Sequence, residues 1–82
     1  MNSLPGAICK LDVAPLDQPL IIAATAADPV VAHRMMTLGW RIGGQVRVVK
    51  KAAGKATVVD LNGSRVAVSE DLARTLCVEA AS

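Results

Sequence analysis

The strongest constraint on this chain is the pair Asn62-Gly63, which lies between two short segments rich in valine. A two-residue hairpin turn of type I′ needs a positive φ angle at both central residues, and Asn followed by Gly tolerates that conformation. The segments 55–61 and 64–69 must therefore pair as neighbouring antiparallel strands. In the second segment valine alternates with other residues, which predicts one buried and one solvated face.

A third strand is predicted directly before this hairpin. Residues 45–51 also carry valine at alternating positions, and a loop at 52–54 connects them to the next strand. The three strands in sequence form an antiparallel meander, in which each strand pairs with the one that follows it along the chain.

The chain closes with one helical turn and a last strand. Ser69 is a suitable N-cap residue, and two acidic side chains follow it at the positive end of a turn that continues through Arg74. Residues 75–79 then form a strand in which Leu76 and Val78 point inward.

The N-terminal third of the chain has a less regular pattern. From 6 to 13 apolar residues alternate with charged ones as in a half-buried strand, although Ile8 breaks the phase. Pro15 ends this strand, and a turn follows at 17–19. The apolar run 20–25 fits either a second strand or an irregular arm.

A single α-helix is predicted between these two parts. The Asp28 carboxylate can accept hydrogen bonds from the free amides of a first helical turn, and Pro29 suits the first helical position. The helix continues to about Leu38. Gly39 then closes it in a left-handed conformation, which places Trp40 against the last turn.

These elements predict the fold class. Five short antiparallel strands in 82 residues would leave unpaired edges in a flat sheet, and closure into a barrel removes them. The fold is therefore predicted to be mainly β: a small SH3-like β-barrel with one inserted α-helix and a short helical turn before the last strand. The whole chain, 1–82, is expected to form a single domain.

Composition and cysteine spacing indicate a cytoplasmic protein. The longest apolar run, 19–27, has about half the length of a membrane span. No basic region of a signal peptide precedes it, so the mature protein is expected to be the whole chain. Cys9 and Cys77 have no further cysteine or histidine at a metal-ligand spacing, and we expect them to be reduced thiols.

The sequence offers little for catalysis or for a stable metal centre. A facial-triad ferrous site needs two histidines and a carboxylate, and His33 is the only histidine. Neither cysteine has a base spaced locally to it, and 39–44 lacks the Lys-Ser/Thr ending of a phosphate-binding loop. We predict that the protein is not an enzyme and has no catalytic, cofactor-binding or metal-binding residues. The cofactor prediction is none, with only a weak, transient contact with Fe²⁺ left open.

Three blocks of the sequence resemble the FeoA family, in the order in which that family has them. The central block, 33–49, combines an Arg, a Leu-Gly corner, a Gly and a valine-rich strand. Leu4-Pro5-Gly6 resembles the opening turn of the family, and 63–78 resembles its closing strand, helical turn and strand. The loop at 53–55 and the long apolar stretch 15–27 depart from the family pattern.

The resemblance implies a small cytoplasmic accessory protein of bacterial ferrous iron uptake. It implies protein–protein contact with the cytosolic GTPase domain of a FeoB-like membrane transporter, and association with transition metal ions. The alternative is a regulatory or metal-sensing SH3-like module of a repressor-like system, because a similar barrel is the C-terminal domain of iron-dependent repressors. We expect no DNA-binding helix-turn-helix before the barrel in this chain, which favours the first of these two functions.

We expect the partner to contact the corner between helix and strand, the apolar arm and the basic strand that follows. The predicted partner-binding residues are Leu20, Ile22, Leu38, Gly39, Trp40, Arg41, Arg47 and Lys50. Exposed apolar arms mark contact sites.

The last three of these residues belong to a basic cluster. Its members are Arg41, Arg47, Lys50, Lys51 and Lys55. Such a cluster is more often a solvated face, but it can also meet an acidic partner or the anionic cytosolic leaflet. Nucleic acid is not expected, because the chain has a single aromatic residue. Membrane contact is expected only indirectly, and a homo-oligomer is left open.

Overall fold

The computed structural model describes residues 8–51 and 56–81. Its strands are β1 (Ile8–Lys10), β2 (Leu20–Ala24), β3 (Gln45–Lys51), β4 (Thr57–Leu61), β5 (Ser64–Val68) and β6 (Cys77–Ala80). Its helices are α1 (Pro29–Thr37) and α2 (Glu70–Ala73). The prediction of a mainly β fold with one inserted helix and a short helix before the last strand is confirmed.

The strands are antiparallel and follow the order β1-β6-β2-β3-β4-β5. Strand β3 joins two halves of this sheet, with β1, β6 and β2 on one side of it and β4 and β5 on the other. Gln45 and Val46 pair with β2, and the later residues of the strand pair with β4. A bulge between Val48 and Lys50 interrupts its register. Because a bulge bends a strand and increases its twist, the two halves fold over a common core.

The sheet differs from the predicted barrel in strand number and closure. It has six strands, because the apolar run that fitted either a strand or an arm is the strand β2. Strands β1 and β5 lie at the two ends of the order, and no ladder joins them within the described residues. The segment after β1 crosses instead to β3, where the Asp17 amide donates to the Val48 carbonyl at 2.8 Å.

Strand β1 is shorter than predicted. Of the predicted strand 6–13, the first two residues lie outside the described part, and Leu11–Val13 forms a 3₁₀ turn. This turn buries both Leu11 and Ala14, whereas Val13 is 67% exposed. Strict alternation would have buried Val13 together with Leu11. The buried residues are therefore three apart, as in a helical turn, and not two apart, as in a strand.

The two ends of α1 form as predicted. At its start the Asp28 carboxylate accepts from the Val30 amide at 2.8 Å. At its end Gly39 adopts a φ of 106°, and its amide donates to the Met36 carbonyl. The Trp40 amide donates to the Met35 carbonyl, one residue further back. These two bonds together form a Schellman cap.

The β4–β5 hairpin also agrees with its prediction. Asn62 and Gly63 have φ angles of 53° and 89°, as a type I′ turn requires. Leu61 pairs with Ser64 across the turn, and the Asp60 carboxylate accepts from the Gly63 amide at 2.8 Å. The pairing of these two strands is therefore fixed by local turn chemistry.

The core is aliphatic with one aromatic residue at its centre. The buried apolar residues are Leu11, Ala14, Leu20, Ile22, Ala26, Met35, Trp40, Val46, Val48, Val59, Leu61, Val68, Ala73, Leu76 and Val78. The Trp40 indole N–H donates to the Ala24 carbonyl at 3.1 Å. This bond satisfies the single polar atom of the indole and ties the end of α1 to the end of β2.

The expectation of an exposed apolar arm is corrected by these positions. Leu20 and Ile22 are each 1% exposed, since β2 is hydrogen-bonded on one side to β6 and on the other to β3. Trp40 is equally buried. The side chains of these three predicted docking residues therefore belong to the core and are not available to a partner.

Replacing Gly39 tests the cap at the end of α1. A Cβ at this position would meet nothing closer than 3.8 Å, so the penalty of Gly39→Ala comes from the positive φ alone. We expect a loss of about 1 to 2 kcal/mol in the free energy of unfolding. Gly39→Asn should lose less, because Asn tolerates left-handed conformations. Urea unfolding followed by the emission of Trp40, the only fluorophore, measures both; equal losses would contradict a conformational cause.

Two isoleucines of contrasting burial test the position of β2. Ile22→Ala should lower the free energy of unfolding by about 2 to 5 kcal/mol, because it opens a cavity in the core. Ile42 is 68% exposed, so Ile42→Ala should change it by no more than about 0.5 kcal/mol. Both variants remove the same atoms. A small effect of Ile22→Ala in urea unfolding would mean that β2 is not packed as the structure has it.

Candidate functional site

Exposed apolar side chains are concentrated where α1 turns into β3. Met36 is 48% exposed, Leu38 45% and Ile42 68%. We call these three residues the apolar corner. The buried indole of Trp40 lies within the same stretch of chain, so the segment contributes both to the core and to the surface. Of the predicted partner-binding residues, Leu38 and Arg41 are exposed here.

The tip of this corner is a tight turn that is fixed to β2. The Gly44 amide donates to the Arg41 carbonyl at 2.9 Å and closes the turn, and Gly43 has a φ of 89°. Ile22 accepts from the Gly43 amide and donates to the Gly44 carbonyl, both at 2.8 Å. The backbone of Ile22 therefore positions Ile42, although the side chain of Ile22 is in the core.

The β4–β5 turn packs beside the corner. An added Cβ on Gly39 would lie 3.8 Å from the Asn62 side-chain nitrogen and 4.0 Å from the Leu61 Cβ. Gly39 thus serves the cap of α1 and also lets the helix end approach this hairpin. Of the predicted site residues, Gly39 is a backbone element of the corner and presents no side chain to a partner.

The structure divides the predicted basic cluster. Arg41, Arg47 and Lys50 are exposed. The Lys51 ammonium turns back instead and donates to the Ala14 carbonyl, so this residue stabilises the crossing segment after β1. Lys55 lies outside the described residues.

An apolar groove between α1 and α2 was not predicted from the sequence. It has a volume of about 450 Å³. Val31, Met35 and Leu72 contribute apolar side chains to it, and Arg34 and Asp71 also line it. The spacing of Val31 and Met35 on one helical face indicated that α1 docks by that face. It did not indicate that the short α2 leaves part of the face uncovered.

The two cysteines are free and lie on neighbouring strands. Cys9 is paired with Val78, whereas Cys77 is paired with Lys10. This offset of one residue places the two thiols on opposite faces, since side chains alternate along a strand. Burial raises the pKa of the Cys9 thiol, and the Lys51 ammonium opposes that rise. A raised pKa reduces the thiolate fraction, which makes Cys9 a poor nucleophile or metal ligand.

Possible metal ligands are dispersed in the part of the chain that the structure describes. Across 8–51 and 56–81 no three His, Cys, Asp or Glu residues form a group that could hold a metal ion. His33 is exposed on α1. Neither described helix combines the length and the apolar character that a membrane crossing requires.

Two comparisons with known proteins agree on the family. The model of the FeoA domain matches residues 9–80, which is nearly the whole chain. A solution structure of a FeoA protein from Chlorobium tepidum is 25% identical, with a TM-score of 0.82 over 90% of this chain and 71% of that one. A FeoA from Stenotrophomonas maltophilia, solved with zinc and described as an SH3 domain protein, is also 25% identical. Its TM-score is 0.73 over 85% of this chain and 88% of that one.

The fold extends beyond this family. A manganese-dependent transcriptional repressor has a TM-score of 0.82 at 16% identity, over 96% of this chain and 44% of the repressor. This likeness shows the fold alone. A comparison with the curated proteins finds no match. The family match over 9–80, together with the SH3-like architecture, shows that the chain belongs to the FeoA family.

Proposed function

We propose that this protein is a cytoplasmic accessory protein of ferrous iron uptake that acts by contact with the cytosolic GTPase domain of a FeoB-like membrane transporter. The family supports the link to ferrous iron transport. The observation that carries the contact is the apolar corner, where Leu38 and Ile42 are exposed on a turn that hydrogen bonds fix to the sheet.

A rigid apolar corner suits binding for two physical reasons. Full burial of a Leu or Ile side chain contributes about 1.5 to 3 kcal/mol, so two such side chains can contribute much of the affinity of a transient complex. Binding also loses less entropy when the contacting segment is already ordered. The Schellman cap and the two bonds to Ile22 supply this order before a partner arrives.

Two features of the described residues favour the same proposal. The thiol of Cys9 has a raised pKa, and the potential metal ligands in 8–51 and 56–81 form no cluster. Under this proposal the protein is not an enzyme. It changes the behaviour of the transporter by occupying a surface of the GTPase domain, and it needs no cofactor of its own.

Charge insertion at the corner tests the proposed contact. Leu38→Glu and Ile42→Glu should each weaken binding to the purified GTPase domain by about 30-fold or more, because a buried contact would have to desolvate a carboxylate. Val30→Glu is the matched control. Val30 is 69% exposed but lies in the first turn of α1, so its substitution should leave affinity unchanged.

Biolayer interferometry of the four proteins gives the affinities, and an unshifted Trp40 emission confirms that each variant is folded. If the wild type binds and both corner variants bind equally well, the corner is not the contact surface. If the wild type does not bind the domain with or without guanine nucleotide, the proposed partner is wrong.

A second candidate is a metal-sensing module of a repressor-like system. One observation favours it: the fold is shared with a manganese-dependent transcriptional repressor. The dispersed ligands argue against it, because a sensor needs several protein side chains on one ion. The regulatory role would therefore have to come from a site that 8–51 and 56–81 do not form.

Calorimetric titration separates the two candidates. Under reducing, anaerobic conditions we expect Fe²⁺ and Mn²⁺ to bind more weakly than micromolar, with no defined stoichiometry. His33→Ala should leave the titration unchanged. Micromolar or tighter binding of one ion per chain would favour the sensor and contradict the adaptor role as stated.

A further inference from the structure

The bulge in β3 brings two cations to the same face of the sheet. In a regular strand Arg47 and Lys50 would point to opposite sides, because they are three residues apart. Here Arg47 is paired with Asp60 and Lys50 with Val58. Since Asp60 and Val58 are two residues apart on β4, all four side chains share one face.

Strand β5 adds one residue to each of two cross-strand rows on this face. Arg65 is paired with Asp60, and Ala67 with Val58. The result is two cross-strand rows. The first contains Arg47, Asp60 and Arg65, and the second contains Lys50, Val58 and Ala67. We call these six residues the outer basic face.

The cations of this face are solvated and lack ion-pair partners among the described residues. Arg47, Lys50 and Arg65 are exposed. Within 8–51 and 56–81 the ion pairs shorter than 4.0 Å are the two that Arg74 forms in and after α2. The Asp60 carboxylate accepts from the Gly63 amide of the hairpin. The face therefore carries three positive charges and one negative charge.

The outer basic face adjoins the apolar corner. Asn62 lies beside Gly39 at the corner, and it also lines a cleft of about 270 Å³ together with Gln45, Arg47 and Asp60. The β4–β5 turn is thus the common border of the two surfaces. A partner that covers the corner and this turn would also meet the cleft that Arg47 lines.

We propose that the outer basic face docks an acidic protein segment of the partner that the apolar corner binds; this inference rests on the proposed function. Arg47 and Arg65 are two strands apart, about 10 Å, which suits two carboxylates on one segment. Exposed charge pairs contribute little affinity but raise the association rate and fix orientation. The apolar corner therefore holds the partner, and the basic face brings it in and aligns it.

A protein segment fits this face better than a lipid surface or a nucleic acid. Asp60 stands between two of the arginines and would repel phosphates, whereas a protein segment can place a hydrogen-bond donor opposite it. The chain has no Phe or Tyr and its single Trp is buried, so the surface lacks the large aromatic side chains on which single-stranded nucleic acids stack their bases. The mixture of charges is a pattern that one folded or extended acidic segment can match.

The first test uses the isolated chain with poly-L-glutamate as the probe. Amide shifts in ¹⁵N NMR should be concentrated around Arg47, Lys50 and Arg65. Lys50→Glu should weaken binding about tenfold at low ionic strength. Arg34→Glu is the matched control, since it makes the same charge change at an exposed site on α1, and it should weaken binding by about twofold or less. Arg65→Gln gives a milder second variant beside Asp60.

Two outcomes of this test would overturn the inference. Equal weakening by Lys50→Glu and Arg34→Glu would mean that the affinity for poly-L-glutamate depends only on the net charge of the protein. Tighter binding through the same residues to phosphatidylglycerol vesicles than to poly-L-glutamate would make the face a membrane surface instead.

The second test measures association with the transporter's GTPase domain. The association rate should fall between about 0.05 M and about 0.5 M salt, and Lys50→Glu should remove most of that dependence. A salt-independent rate that Lys50→Glu does not alter would refute the basic face and leave the proposed function standing. No binding of the domain, with poly-L-glutamate still mapping to the face, would refute the proposed function and leave the face in need of another acidic partner.

Discussion

The structure depends on the position of Trp40 at the end of α1. Its amide closes the Schellman cap on Met35, its indole N–H bonds to the Ala24 carbonyl, and its ring is buried. These contacts join the helix to the end of β2, and the turn that follows is bonded to the same strand through Ile22. Hydrogen bonds therefore tie the corner that carries the exposed side chains to the core beneath it. The single aromatic residue of the chain, Trp40, thus lies at this junction.

Local signals in the sequence predicted the parts of the fold that a few adjacent residues decide. Asn62-Gly63 and Gly39 need backbone conformations that few residue types adopt, and Asp28 completes hydrogen bonds within its own turn. The sequence could not decide the role of β2 in the same way. Its run of apolar residues fits a surface arm or a central strand equally well. The difference comes from pairing with β3 and β6, whose residues are distant in the chain.

The same distinction explains how much of the candidate site was predictable. The sequence placed the docking surface around the Leu-Gly corner, and Leu38 and Arg41 are exposed there; their contact with a partner stays a prediction. Ile42 was missed, because an isoleucine before two glycines gives no sign that a turn fixes it in solvent. Arg47 and Lys50 share the outer basic face because of the bulge in β3. The valine-rich sequence of this strand contains no signal that predicts a bulge. Arg65 joins them only through the register of β4 and β5.

The use of the single aromatic residue in the core also limits how this protein can recognise anything. Trp and Tyr are enriched in interface hot spots, and neither is available on this surface. Recognition must therefore come from aliphatic side chains and from charges. Aliphatic contacts contribute affinity but do little to fix the orientation of the partner, whereas exposed charges fix the orientation but contribute little affinity. We expect a surface of this kind to bind a partner quickly but with modest affinity, so that the complex also dissociates readily. Such a balance suits the transient contact with a transporter that we propose, and it suits a permanent subunit interface poorly.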